Sequence, residues 1–135
     1  MSAPGGPRLG AREVARRVLA RVEEGAYASL TLSSELDRAG LSPADRGLAT
    51  ELAYGVLKLR RRLDRALAAG APRGLGTLDA RVLNALRVAA YQMVCLDRIP
   101  AHAAVDDAVG AVKRARGARL AGFANAVLRR LAERG

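Results

Sequence analysis

An apolar row runs through the middle of the chain: Leu48, Leu52, Val56, Leu59, Leu63 and Leu67, separated by steps of four or three. Such steps align side chains on one stripe of an α-helix, whereas the period of two in a strand would scatter them over both faces. The row is bounded at both ends. Ser42-Pro43-Ala44-Asp45 supplies an N-cap serine, a proline at the first helical position and an acid at the third, which satisfies free amides and suits the positive end of the helix dipole. Gly70-Ala71-Pro72 ends it. Gly55, inside this long helix, marks either a kink or a close helix crossing, because glycine costs about 1 kcal/mol relative to alanine in a helix interior.

The same spacing recurs on either side. Val14, Ala15, Val18, Leu19 and Val22 define a first helix over roughly residues 9 to 24, with Gly25 as its stop. Leu30, Leu32, Leu36 and Ala39 define a shorter second helix, with Ser29 as N-cap and Gly40 as stop. After a loop over residues 71–76, Thr77 is placed to cap a helix whose face is Leu78, Val82, Leu86, Ala90, Met93 and Val94. Pro100 then opens a helix that carries Val105, Ala108, Val109 and Val112 and stops at Gly117. A last helix uses Leu120, Phe123, Ala124, Val127, Leu128 and Leu131. Apolar residues make up 50% of the chain but aromatic residues only 3%, so Leu, Val and Ala must build the core. The 135 residues suit one domain. The expected fold is all-α, a compact bundle of six or seven short helices in two halves divided by the 71–76 loop, with residues 1–8 a flexible leader and residues 9–135 the domain.

Charge narrows the choice of partner. Lys and Arg number 23 against 13 Asp and Glu, a formal net charge of +10, and a surface this positive attracts polyanions, nucleic acid before anionic membrane. Three clusters carry the excess. Arg8, Arg12 and Arg16 stand four apart along the first helix with Arg17 and Arg21 beside them, and Glu13 is the only acid before Glu23. Guanidinium groups in a row suit phosphates through charge and forked hydrogen bonds; the plainer alternative is a solvated face of an arginine-rich chain. A second cluster, Lys58, Arg60, Arg61, Arg62 and Arg65, wraps most of a helical turn, so only part of it, Lys58, Arg61 and Arg62, is assigned to phosphate contact. The third, Lys113, Arg114, Arg116 and Arg119, either compensates a helix dipole or clamps phosphate.

Other chemistry is thin. Lone Cys95 forms no internal disulfide and reads as a small buried apolar residue, and the single His102 has no thiol set to complete a zinc site. His102 follows Pro100 in a first helical turn, where local hydrogen bonding is a plainer role than catalysis, Asp106 being its only evident acidic neighbour. Asn125, Tyr91 and Gln92 are polar groups placed to tie helices or loops together. Tyr27, Tyr54 and Tyr91 are too scattered for a base-stacking platform. No phosphate-binding glycine loop, metalloprotease motif, signal peptide or long apolar run is present, so the expectation is a cytoplasmic, non-enzymatic chain with neither cofactor nor metal and no membrane partner.

Several segments, in this order, resemble the NusB-like helical domain: Glu51-Leu52-Ala53-Tyr54-Gly55-Val56-Leu57-Lys58, Leu63-Asp64, Leu86-Arg87 through Tyr91-Gln92-Met93, Arg98-Ile99-Pro100-Ala101-His102-Ala103-Ala104-Val105, and Gly122-Phe123-Ala124-Asn125-Ala126-Val127-Leu128-Arg129. The resemblance covers residues 10 to 134. The stretch from Arg98 to Val105 is more similar to the N-terminal domain of the RsmB (Sun/Fmu) rRNA cytosine-C5 methyltransferases than to free-standing NusB. Asp107 stands where glutamate is usual and Ala124 where valine is usual. The resemblance implies an RNA-binding domain that engages 16S rRNA beside a separate methyltransferase domain. Alternatively, it implies an antitermination factor that binds boxA-type RNA with ribosomal protein S10 through its arginine-rich first helix. A helical protein adaptor is the third possibility. The methyltransferase domain would bring an S-adenosylmethionine site and two cysteines, one in a Pro-Cys motif, whereas Cys95 stands in Val94-Cys95-Leu96, so this stretch is not expected to methylate by itself.

Overall fold

The computed structural model describes residues 10–134, so the leader and Arg8 lie outside the described residues. Six helices follow one another: α1 (Ala11–Glu23), α2 (Ala28–Ala39), α3 (Pro43–Ala68), α4 (Ala80–Cys95), α5 (Ala101–Arg116) and α6 (Ala118–Arg134). Helix α4 is the axle: α1, α3, α5 and α6 all pack against it. The two halves therefore share one core rather than two. Its largest fully buried side chains are leucines and valines drawn from α1, α3, α4, α5 and α6, with one glutamine, Gln92, among them. No helix is long and apolar enough to cross a membrane among the described residues.

Local chemistry explains most boundaries. The Asp45 amide donates to the Ser42 hydroxyl at 3.2 Å with Pro43 at the first helical position, the cap read from the sequence. Gly40 ends α2 at φ 63°, a left-handed conformation that suits glycine. Two expected caps are displaced. Helix α2 starts at Ala28 after Tyr27, so Ser29 sits inside the helix, and Asp79 rather than Thr77 caps α4, accepting from the Val82 amide at 3.1 Å. Pro100 is the N-cap of α5, one residue before the helix begins.

The long helix bends at Leu59 (φ −106°, ψ 17°), not at Gly55. Gly55 is a close crossing instead: a Cβ there would run into the Tyr91 ring. Leu52, Val56, Leu63 and Leu67 of the apolar row are buried, while Leu48 and Leu59 are half-buried. Leu30 and Val94, expected inside, are 69% and 57% exposed.

Asp79 also joins α4 to the end of α5, because it accepts from the Arg116 Nε. That hydrogen bond holds its carboxyl below the ordinary aspartate range, with the Val82 and Arg81 amides acting in the same direction against partial burial. A carboxyl whose pKa is lower folded than unfolded stabilises the fold above the unfolded value and loses that contribution as pH falls through the folded one. Asp79→Ala should cost about 1 kcal/mol at neutral pH, the usual value of a lost cap, because the ion pair is half-exposed and adds little. In urea unfolding, the gap between wild type and variant should close below about pH 4; a gap that stays constant to lower pH would contradict this assignment.

Candidate nucleic-acid interface

The arginine row of α1 is not a free row. Arg16 is 9% exposed, donating through Nη1 to Asp107 Oδ2 of α5 at 2.6 Å and through Nη2 to Glu13 Oε1 at 3.0 Å. Arg12 is half-buried, and its Nε donates to the Oε1 of fully buried Gln92 at 2.7 Å. These two side chains bolt α1 to α5 and α4. A row four apart on a helix surface faces solvent only where no neighbour covers it, and α4 and α5 supply the partners here. Arg17 and Arg21 remain accessible, 46% and 42% exposed, although Arg17 touches Glu13 and Arg21 touches Glu35, each at 3.3 Å.

The other clusters divide in the same way. Lys58, Arg61 and Arg62 are exposed and have no acidic partner among the described residues, whereas Arg60 of the same run pairs with Glu23 at 3.3 Å. In the third cluster Arg116 is committed to Asp79, while Lys113, Arg114 and Arg119 are exposed without an acidic partner among the described residues.

The fold brings parts of two clusters together. A groove of about 480 Å³ opens between α1, Glu35 of α2, the start of α4 and the last turn of α5, and Arg16, Arg17, Arg21, Arg81 and Arg114 line it together with the carboxylates Glu13 and Glu35. Arg81 and Arg114 have no carboxylate partner among the described residues. Five arginines against two carboxylates thus leave a surplus of positive charge here, in a concave site that screens it less than a flat surface would. The second cluster is not part of this groove.

Sequence reasoning missed two of its charged residues. Arg81 stands alone in the chain, so no cluster pointed to it. Glu35 falls three residues after Leu32, on the buried stripe of α2, and a carboxylate in that register was the available sign that something unusual lies inside. Its side chain is 4% exposed.

The remaining candidates lie outside the groove. His102 is exposed and makes no side-chain hydrogen bond among the described residues, so the local bonding expected of it is absent there. Asn125 is half-buried and likewise makes no side-chain hydrogen bond, but Gln92 does tie helices, accepting from Arg12 and donating to the Val88 carbonyl. Cys95 is exposed rather than buried, and partial desolvation raises its thiol pKa, so little reactive thiolate forms near neutral pH. No group of three or more His, Cys, Asp or Glu capable of holding a metal occurs among the described residues.

The family model described as "NusB family" matches residues 9–133, nearly the whole chain. The chain belongs to the NusB family. Its sequence relatives include the probable ribosomal RNA small subunit methyltransferase B of Bacillus subtilis, 34% identical over 125 residues, and a putative methyltransferase of Mycobacterium tuberculosis, 39% identical over 127 residues. These matches take in 92% and 94% of this chain but 28% and 27% of the relatives, so this NusB-family chain spans little more than a quarter of their length. Solved structures agree on the fold. NusB of T. maritima superposes with a TM-score of 0.82 at 21% identity, covering 95% of this chain and 92% of that one. A chain from the crystal structure of antitermination factors NusB and NusE in complex with dsRNA gives 0.82 at 20% identity, covering 93% and 96%.

Proposed function

We propose that this NusB-family domain binds RNA through the α1–α4–α5 groove and serves as the rRNA-engaging part of a small-subunit rRNA methyltransferase, catalysis residing in sequence outside this domain. The groove carries the reading: Arg81 and Arg114 meet no acid, and Arg17 and Arg21 flank them. Guanidinium groups gathered in a concavity bind phosphate oxygens in pairs and position a strand without reading its sequence. Two sequence relatives that match over nearly this whole chain are a methyltransferase named for small-subunit rRNA and a putative methyltransferase, which favours rRNA as the ligand. Exposed Lys58, Arg61 and Arg62 extend the positive surface on α3.

Binding to a 16S rRNA fragment, followed by fluorescence anisotropy from about 50 to about 200 mM salt, should weaken steeply, log K falling by about 0.7 for each neutralised phosphate per decade of salt. Three or four phosphate contacts give a slope of about −2 to −3. Undetectable or salt-insensitive binding would overturn the proposal and leave the helical adaptor reading.

One observation favours a second reading. A chain from the crystal structure of antitermination factors NusB and NusE in complex with dsRNA shares this fold, which suits an antitermination factor acting on boxA-type RNA with ribosomal protein S10. Joint gel-filtration of the domain, S10 and boxA RNA decides: a ternary complex promotes this reading, and separate elution removes it.

A further inference from the structure

The groove contains a carboxylate that the phosphate-binding reading leaves unused. Glu35 is buried, and its Oε1 is shut off from solvent with no hydrogen-bond partner. Among the described residues this is the only buried side-chain oxygen or nitrogen without one. Leaving such a group unsatisfied is costly, and Glu35 stands among the residues that line the groove. Its other oxygen, Oε2, is held by a single long contact to Arg21 Nη1 at 3.3 Å, and Arg21 is the more accessible partner.

We infer that the groove takes one unpaired nucleotide of a bound RNA, with Arg81 and Arg114 on its phosphate and Glu35 accepting a hydrogen bond from the exocyclic amino group of its base. The inference rests on the RNA-binding reading above and adds base preference to it. Binding is an exchange of partners. Arg21 turns toward the incoming phosphate, which uncovers the carboxylate, and the amino group of the base supplies the donor that Oε1 lacks. Arg21 thus keeps an anionic partner throughout.

The chemistry selects among bases. A carboxylate only accepts hydrogen bonds, so it pairs with the amino groups of cytosine, adenine or guanine. Uracil offers one N–H set between two carbonyl oxygens, and both would face the carboxylate across the bond. A base splayed from a single strand presents this edge, whereas a paired base does not. The groove therefore prefers unpaired, amino-bearing bases over uracil.

Labelled oligocytidine and oligouridine of about ten nucleotides separate the possibilities, being alike in size and differing at the position where cytosine donates and uracil accepts. Wild-type protein should bind oligocytidine at least about five-fold more tightly than oligouridine at equal salt. Glu35→Gln, which can also donate, should bring the two within about two-fold. An oligomer of N4,N4-dimethylcytidine, which has no donor there, should bind wild type no better than oligouridine, and this arm does not depend on the variant's folding. Equal wild-type affinities for the two natural oligomers, or a preference that persists in folded Glu35→Gln, would overturn the inference while leaving the groove as an RNA site. Failure to bind any of these RNAs would instead defeat the RNA-binding reading itself.

Discussion

Asp64→Ala is expected to lose about 3 kcal/mol of folding stability, the low end for breaking a buried ion pair, and to melt roughly 10 °C below wild type. The reason is the partner it abandons. Arg87 is 4% exposed in the heart of α4, with Nε and Nη2 on the two Asp64 oxygens at 2.7 and 2.9 Å. Without Asp64 the guanidinium keeps only Asn84 Oδ1 at 3.2 Å and a distant Glu23 carboxylate at 3.8 Å. A buried cation stripped of its main anion costs more than the pair ever contributed. Asp64→Asn retains one acceptor and should fall between. Urea unfolding followed by circular dichroism checks both, and a loss under about 1 kcal/mol for the alanine variant would mean that water reaches Arg87.

Arg16→Ala should also act on the fold, by about 2 kcal/mol, while changing RNA affinity less than about two-fold. Arg16 lines the groove but is almost wholly buried, and its guanidinium is already held by Asp107 and Glu13, so it offers a phosphate little surface. The cost is smaller than for Asp64 because the carboxylates left behind, 25% and 35% exposed, can take up water. Arg16→Met keeps the apolar stem and should recover part of the loss. Comparing melting curves with anisotropy titrations separates the two effects. An Arg16→Ala protein with normal stability and much weaker RNA binding would restore the arginine row to the role its spacing suggested.

That contrast shows where sequence is informative. Periodicity and end signals act within a turn or two, so the six helices, the Ser42 cap and the Gly40 and Gly117 stops could be read directly. The 71–76 loop was equally plain. Interactions across the chain could not be read. The Arg16–Asp107 pair joins residues 91 apart and Arg12–Gln92 joins residues 80 apart, and nothing local in α1 reveals that α4 and α5 supply the partners. The charge clusters were visible, but which members would be consumed by carboxylates depended on packing. Arg114 and Arg81 come from helices that meet only in the fold, so the groove they line with Arg17 and Arg21 had no signature along the chain. Gly55 shows the intermediate case: spacing left a kink or a crossing open, and the position of Tyr91 decided it.

The most direct test of the account compares Arg81→Ala/Arg114→Ala with Arg38→Ala/Arg73→Ala, a pair of exposed arginines outside the groove, on one rRNA fragment across one salt series. Both doubles remove the same charge. The groove variant should bind about ten-fold more weakly and its salt slope should flatten by about 1.4, two phosphates' worth, with the melting temperature unchanged. The control should stay close to wild type. Equal losses in the two doubles, or none in the groove variant, would show that this domain meets RNA through diffuse charge or not at all.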